Sequence, residues 1–154
     1  RDDFSTRNGH AGPAMETPGA QMAGTWEFDY SIIPHAGSWA TNVQEARAFE
    51  TPLRSTTTEL HAGSLPPSGN FVDVGPEEFE ISAIKQAQDG SGWILRGYNT
   101  GSAPIQLRAK LWRNFKRCQR VNLAEEEIGK VRLGSRILDM KVRGHEIATL
   151  LFRN

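Results

Sequence analysis

The sequence predicts an all-β chain, an antiparallel β-sandwich carrying one short helix. Three observations lead there. Apolar residues recur at every second position in several separate stretches, the period of a strand with one buried face. Short turns rich in Gly, Pro, Asp and Ser divide those stretches. Only one segment has helical spacing, and a capping residue and a proline bound it. Strands joined by tight turns, with no alternation of strand and helix, build sandwiches rather than doubly wound sheets.

Taken in order, residues 1–24 read as a loop. The stretch GHAGPAMETPGAQ contains two prolines, many small residues and no branched apolar run, so it holds a path without a core of its own. From residue 25 to 154 the chain reads as the sandwich domain. In TWEFDYSIIPH, Trp26, Phe28, Tyr30 and Ile32 alternate with Glu27, Asp29 and Ser31, which predicts a half-buried strand ended by Pro34. In SWATNVQEARAFETP, Ser38 or Thr41 can cap a helix, Val43, Ala46 and Phe49 form one face, and Pro52 stops it. Residues 53–67 are loose and end in Ser-Leu-Pro-Pro-Ser-Gly, the signature of an exposed turn.

The second half is more regular. FEISAIKQAQ and WILRGYN flank DGSG, whose Asp and Gly suit the positive-φ positions of a hairpin turn. IQLRAKLW follows a Gly-Ser-Ala-Pro turn, with Ile105, Leu107, Ala109 and Leu111 on one face. RVNLAEE is a shorter strand candidate. RILDMKVRGHEIATLLF supplies two more strands, with Leu138, Met140 and Val142 inward and a break at Gly144.

Composition narrows the functions. An apolar fraction of 38% with 23% charged residues is that of an ordinary folded domain. The 18 acidic and 18 basic residues cancel, leaving no net field to gather nucleic acid or an anionic membrane. No apolar run reaches the ~18 residues of a membrane-spanning helix. Cys118 is a lone cysteine, so no intrachain disulfide forms. With no secretory leader and no Asn-x-Ser/Thr site visible, the chain reads as cytoplasmic.

Chemistry is sparse. His10, His35, His61 and His145 are scattered, without the spacing that lets two imidazoles share an ion. Cys118 lies among Lys116, Arg117 and Arg120, which would lower an exposed thiol's pKa, yet alternation makes it a small buried residue. A retaining glycosidase needs two carboxylates about 5 Å apart; Asp2 and Asp3 point to opposite sides of an extended chain, and Glu125, Glu126 and Glu127 read as a solvated run. KLWRNFKR sets Trp112 and Phe115 among four cations, either a platform or a strand with one apolar face. No Gly-x-x-x-x-Gly-Lys loop is present to cradle a phosphate. From the residues alone no catalytic or metal-binding residue emerges.

The opening stretch adds a resemblance. RDDFSTRNGHAGPAMETPGAQ followed by FDYSIIPHAGSW resembles the entry to the C-terminal β-rich region of α-mannosidases in glycoside hydrolase family 38. The likeness rests on Arg1-Asp2-Asp3, Arg7, Gly12-Pro13, Thr17-Pro18-Gly19-Ala20-Gln21, Pro34-His35 and Trp39. ISAIKQAQDGSGWILRGYN, VNLAEEE and the final HEIATLLF continue it in order across nearly the whole chain. The resemblance implies a supersandwich-like, galactose mutarotase-like fold and an enzyme that hydrolyses α-mannosidic bonds with retention. Its aspartate nucleophile and its divalent metal, usually zinc, belong to an N-terminal catalytic domain whose motifs are absent here, so no cofactor is assigned to this chain.

On that reading residues 1–24 face the active site of the N-terminal domain, with Arg7, His10 or Gln21 reaching the rim of the mannoside site. The simpler reading is a connector in which Arg7 pairs with Asp2 or Asp3. As part of an enzyme the chain would leave an apolar patch open where its partner domain sits. As a free-standing carbohydrate-binding or interaction module it would instead lay one or two aromatic rings flat on the surface, with Trp39, Trp93 and Trp112 the candidates. An immunoglobulin-like adhesion domain is disfavoured, because the Cys-Trp-Cys arrangement is missing.

Overall fold

The computed structural model describes residues 16, 18–20 and 22–154, together with the backbone of residues 3–4 and 7–10. They fall into two units, Arg1–Ile32 and Ile33–Asn154. In the first, β1 (Asp3–Phe4) and β2 (Arg7–His10) pair antiparallel.

The second unit is a sandwich of a five-stranded and a three-stranded antiparallel sheet, as the alternation predicts. The larger sheet has the order β4 (Phe79–Gln86), β5 (Trp93–Asn99), β10 (Ile147–Arg153), β7 (Arg117–Val121), β8 (Glu127–Val131). The smaller runs β3 (Val72–Gly75), β6 (Ile105–Leu111), β9 (Ile137–Val142). The DGSG turn joins β4 to β5: Gly90 takes φ 72°, and the Ser91 amide donates to Asp89 Oδ1 at 2.8 Å. Three of the four anticipated inward residues of β6, Leu107, Ala109 and Leu111, are almost wholly buried, as are Leu138 and Val142 of β9. They meet Phe79, Leu95, Ala148, Leu150 and Phe152 across the sandwich. Each such aliphatic side chain contributes about 1.5–3 kcal/mol by leaving water.

β10 is the exception to alternation. Ala148 to Phe152 are all buried, because the strand sits mid-sheet with both faces covered. Its second face packs in a smaller cluster of Ala87, Ile94, Val121 and Leu151.

Two expectations are corrected. Residues 26–32 form no strand: among the described residues nothing pairs with them, and Trp26, Phe28, Tyr30 and Ile32 are all exposed. An isolated extended segment has no ladder to satisfy its backbone groups, so alternation alone cannot make it a strand. RVNLAEE is likewise not one strand. β7 ends at Val121, and residues 122–126 turn the chain into β8, with Glu125 at φ 67° and the Asn122 amide donating to the Glu126 carbonyl at 2.9 Å.

The helix α1 (Val43–Glu50) forms where expected, preceded by a 3-10 turn over Trp39–Asn42 that Ser38 caps through the Ala40 amide at 3.3 Å. Its anticipated apolar face is largely uncovered, Ala46 and Phe49 being exposed. Arg47 links it to the sheet instead, its Nε lying 3.2 Å from Glu80 Oε1. No helix among the described residues is long and apolar enough to cross a membrane.

Candidate functional site

At one end of the sandwich, two adjacent side chains, Asn99 and Thr100, tie three loops. Asn99 ends β5 almost wholly buried; its Nδ2 donates to the Ala103 carbonyl at 2.8 Å and the Arg143 carbonyl at 2.9 Å. Its Oδ1 accepts from the Gly101 amide at 2.9 Å, so both donors and one acceptor site of the carboxamide are used. Thr100 Oγ1 donates to the Glu78 carbonyl at 3.1 Å. Close by, Gly144 lies so near Ser102 that a Cβ would overlap the Ser102 carbonyl, which explains a glycine at the break before β10. Arg120 then clamps Glu146 at 2.5 Å, and the Arg143 amide donates to the same carboxylate at 2.6 Å. The arrangement is a structural lock. In the sequence Asn99 is only the last residue of WILRGYN, and nothing in its neighbours signals the role.

Carboxylates come next, as the groups glycosidic chemistry would need. The run 125–127 is not a merely solvated face. Glu125 accepts from the Gln88 amide at 2.6 Å and from Lys85 Nζ, Glu126 accepts from Asn122 Nδ2 at 2.7 Å, and Glu127 accepts from Gln119. Glu125 is held below the usual carboxylate range by the Gln88 amide and Lys85, and Asp89 by the Ser91 amide and hydroxyl. Burial disfavours the Glu146 carboxylate, but the Arg143 amide and the Arg120 guanidinium outweigh it and hold that pKa down too. A general acid in glycoside cleavage needs the opposite displacement, upward. These three are fastening groups.

Metal and thiol chemistry find no better ground. No group of three or more His, Cys, Asp or Glu among the described residues is placed to hold a metal ion, so the zinc implied by the resemblance does not fit them. Cys118 is buried as expected, and desolvation pushes its thiol up to about 12, away from nucleophilic use.

The aromatic candidates divide. Trp93 and Trp112 stack edge to face at 5.8 Å, and Trp112 continues onto Phe115 at 5.3 Å, so both serve the packing at the sandwich rim. Arg113 lies 4.8 Å over the Phe115 ring, completing the KLWRNFKR cluster as one of packed aromatics beneath a cation. Trp39 is 60% exposed on its 3-10 turn. An open groove of about 670 Å³ runs beside Trp112, its apolar wall Leu65, Pro66 and Phe71 and its polar mouth Asp73, Lys110 and Arg136. Asp73 is its only carboxylate. Sequence reasoning missed it, since residues 65–71 announced only a turn.

Within the first unit, Trp26 (57%), Phe28 (79%), Tyr30 (83%) and Ile32 (81%) form an exposed apolar row. Arg7 and His10 lie on β2, where the backbone alone is described; their side chains, Gln21, and the pairing of Arg7 with Asp2 or Asp3 lie outside the described residues.

Comparison with known proteins supplies the context. Residues 78–150, from the start of β4 into β10, match the family model described as the glycosyl hydrolases family 38 C-terminal β-sandwich domain. A protein of Halalkalibacterium halodurans named "Putative mannosylglycerate hydrolase" is 33% identical over 143 residues. The alignment takes in 90% of this chain and 15% of that protein.

Proposed function

We propose, from the match of residues 78–150 to the glycosyl hydrolases family 38 C-terminal β-sandwich domain, that the chain is the accessory sandwich of a larger glycoside hydrolase that cleaves α-mannosidic bonds with retention. The family match carries the reading. It is supported by the likeness to a relative of which this chain spans only 15%, and by the open row Trp26–Ile32, the kind of surface a domain leaves uncovered when its neighbour is elsewhere. The name of that relative makes mannosylglycerate the first substrate to try, a mannose joined to a small carboxylated aglycone.

On this reading the catalytic aspartate and the zinc belong to the N-terminal domain, and the sandwich is inactive alone. Residues 1–24 connect the two, with Arg7, His10 and Gln21 offered to the rim of the mannoside site. The present residues bind no step of the chemistry; they supply a rigid mount.

The test is to size the source protein in unfractionated extract with an antibody to this chain and to assay the same fractions on mannosylglycerate and on an aryl α-mannoside. Activity co-eluting with a species several-fold larger than 17.1 kDa is the expected result. A 17.1 kDa species without activity overturns the reading and turns attention to sugar binding at Trp39 or the Trp112 groove.

A further inference from the structure

We infer that residues 26–32 add as a β-strand to a sheet contributed by the rest of the parent polypeptide, so that the domain docks through backbone hydrogen bonds as well as apolar contact. The inference rests on the reading just given, that such a polypeptide exists.

Four observations lead to it. The segment alternates strictly, Trp26, Phe28, Tyr30 and Ile32 against Glu27, Asp29 and Ser31, a pattern that has a use only where one face is covered by a sheet's worth of neighbours. All seven residues are exposed, and among the described residues none of their backbone groups joins a ladder. Gly24 at φ 143° and Pro34 bracket a length typical of a strand. No Pro interrupts it, so each of residues 26–32 has an amide that can donate to a ladder.

The charges identify the occupant. If two copies of the chain paired antiparallel over the whole segment, Asp29 would face Asp29, and a slip of two residues in one direction would set Glu27 against Asp29 twice. Like charges directly opposite one another destabilise a ladder. The face opposite the aromatic row therefore suits a strand carrying neutral or basic residues, and it does not suit itself. A relative of which this chain spans 15% has ample sequence outside it to supply one. Strand addition takes specificity from alternate side chains and affinity from the main chain.

Hydrogen exchange on the complete polypeptide tests this, read at single-amide resolution over residues 25–33 and over the irregular residues 53–62 as reference. Pairing at a sheet edge slows alternate amides of 26–32, and insertion between two strands slows them all, by about 100-fold relative to the reference. Phe28→Asp is expected to return those amides to the reference rate while the β4–β5 hairpin stays protected. Because that variant could unfold more than its own segment, Ser31→Thr, which leaves the charges of the opposite face intact, serves as the control and is expected to keep the protection. Unprotected amides in a large, active protein overturn the inference and leave the hydrolase reading standing. Protection that appears only as protein concentration rises assigns the segment to a second copy and overturns it as well. A 17.1 kDa source protein removes the premise and the inference together.

Discussion

Residues 26–32 and residues 105–111 carry the same pattern and meet opposite fates. Each sets apolar residues at every second position against polar or charged ones. In β6 the row Leu107, Ala109, Leu111 is at most 2% exposed, hydrogen bonded to β3 on one side and β9 on the other. In the earlier segment Phe28, Tyr30 and Ile32 are about four-fifths exposed and unpaired among the described residues. Alternation records which face of a strand is meant for burial. It says nothing about where the covering sheet comes from, since that depends on partners distant in sequence or outside the sequence altogether.

The most direct way to break the comparison is to cut both rows. Leu107→Ala should destabilise the chain by about 2–5 kcal/mol, through lost transfer energy and the cavity left between the sheets. Phe28→Ala in the same 154-residue chain should stay within about 0.5 kcal/mol, as a substitution at an exposed position does. Urea unfolding of the two variants beside the parent checks both. Equal losses would mean that residues 26–32 are buried in solution and that the contrast is false.

Next in size is the lock at the end of the sandwich. Asn99→Ala strips the Ala103 and Arg143 carbonyls and the Gly101 amide of their partner and is expected to cost about 1–3 kcal/mol, again by urea unfolding. Asn99→Asp keeps the acceptor for Gly101 but loses both donors, so it should fall no closer to the parent than the alanine variant.

How far the sequence could be read follows from the same contrast. The β4–β5 hairpin, β6 and β9 were legible because apolar periodicity and turn chemistry agreed, DGSG with Gly90 being the clearest instance, and β10 because an apolar run follows the break at Gly144. β3 was missed because Val72–Gly75 offers only four residues, and β8 because its Ile128 points to solvent and its centre is Gly129. RVNLAEE misled because Val121 and Leu123 mimic alternation across the start of a turn. The helix was found for its caps, while the contact anchoring it is an ion pair, Arg47 to Glu80, that no periodicity encodes. Of the site little was legible: Asn99 looks like any strand-end polar residue, and the Trp112 groove depends on a loop whose path only the fold sets.

A smaller effect sharpens the electrostatics of the sandwich. Because Glu146 titrates below its ordinary range when folded, its contribution is complete above that range and is lost as pH falls through the lowered value. Stability measured from pH 7 to pH 3 should therefore decline on acidification, and Glu146→Gln should flatten part of that decline while costing about 1 kcal/mol near neutrality, as a partly exposed charged hydrogen bond does. A decline of unchanged slope in the variant would assign the acid sensitivity to other carboxylates.

The smallest change to the protein is chemical. Cys118, buried with its thiol pushed up to about 12, should react with an alkylating reagent only as fast as the sandwich opens, and Leu107→Ala should speed that labelling while Phe28→Ala leaves it unchanged.

β10 lies between β5 and β7, joining the hairpin β4–β5 to the hairpin β7–β8, though it follows both along the chain. On a ribosome, each hairpin emerges and can close on its own turn, but the sheet that unites them waits for a strand translated later. Until then Leu95 and Cys118 have no common neighbour to bury against, and the half-built sandwich exposes two strand edges and the apolar surface meant for Ala148 to Phe152. The window between translation of β8 and arrival of β10 is thus when this chain is most open to mispairing and most in need of a chaperone's shelter.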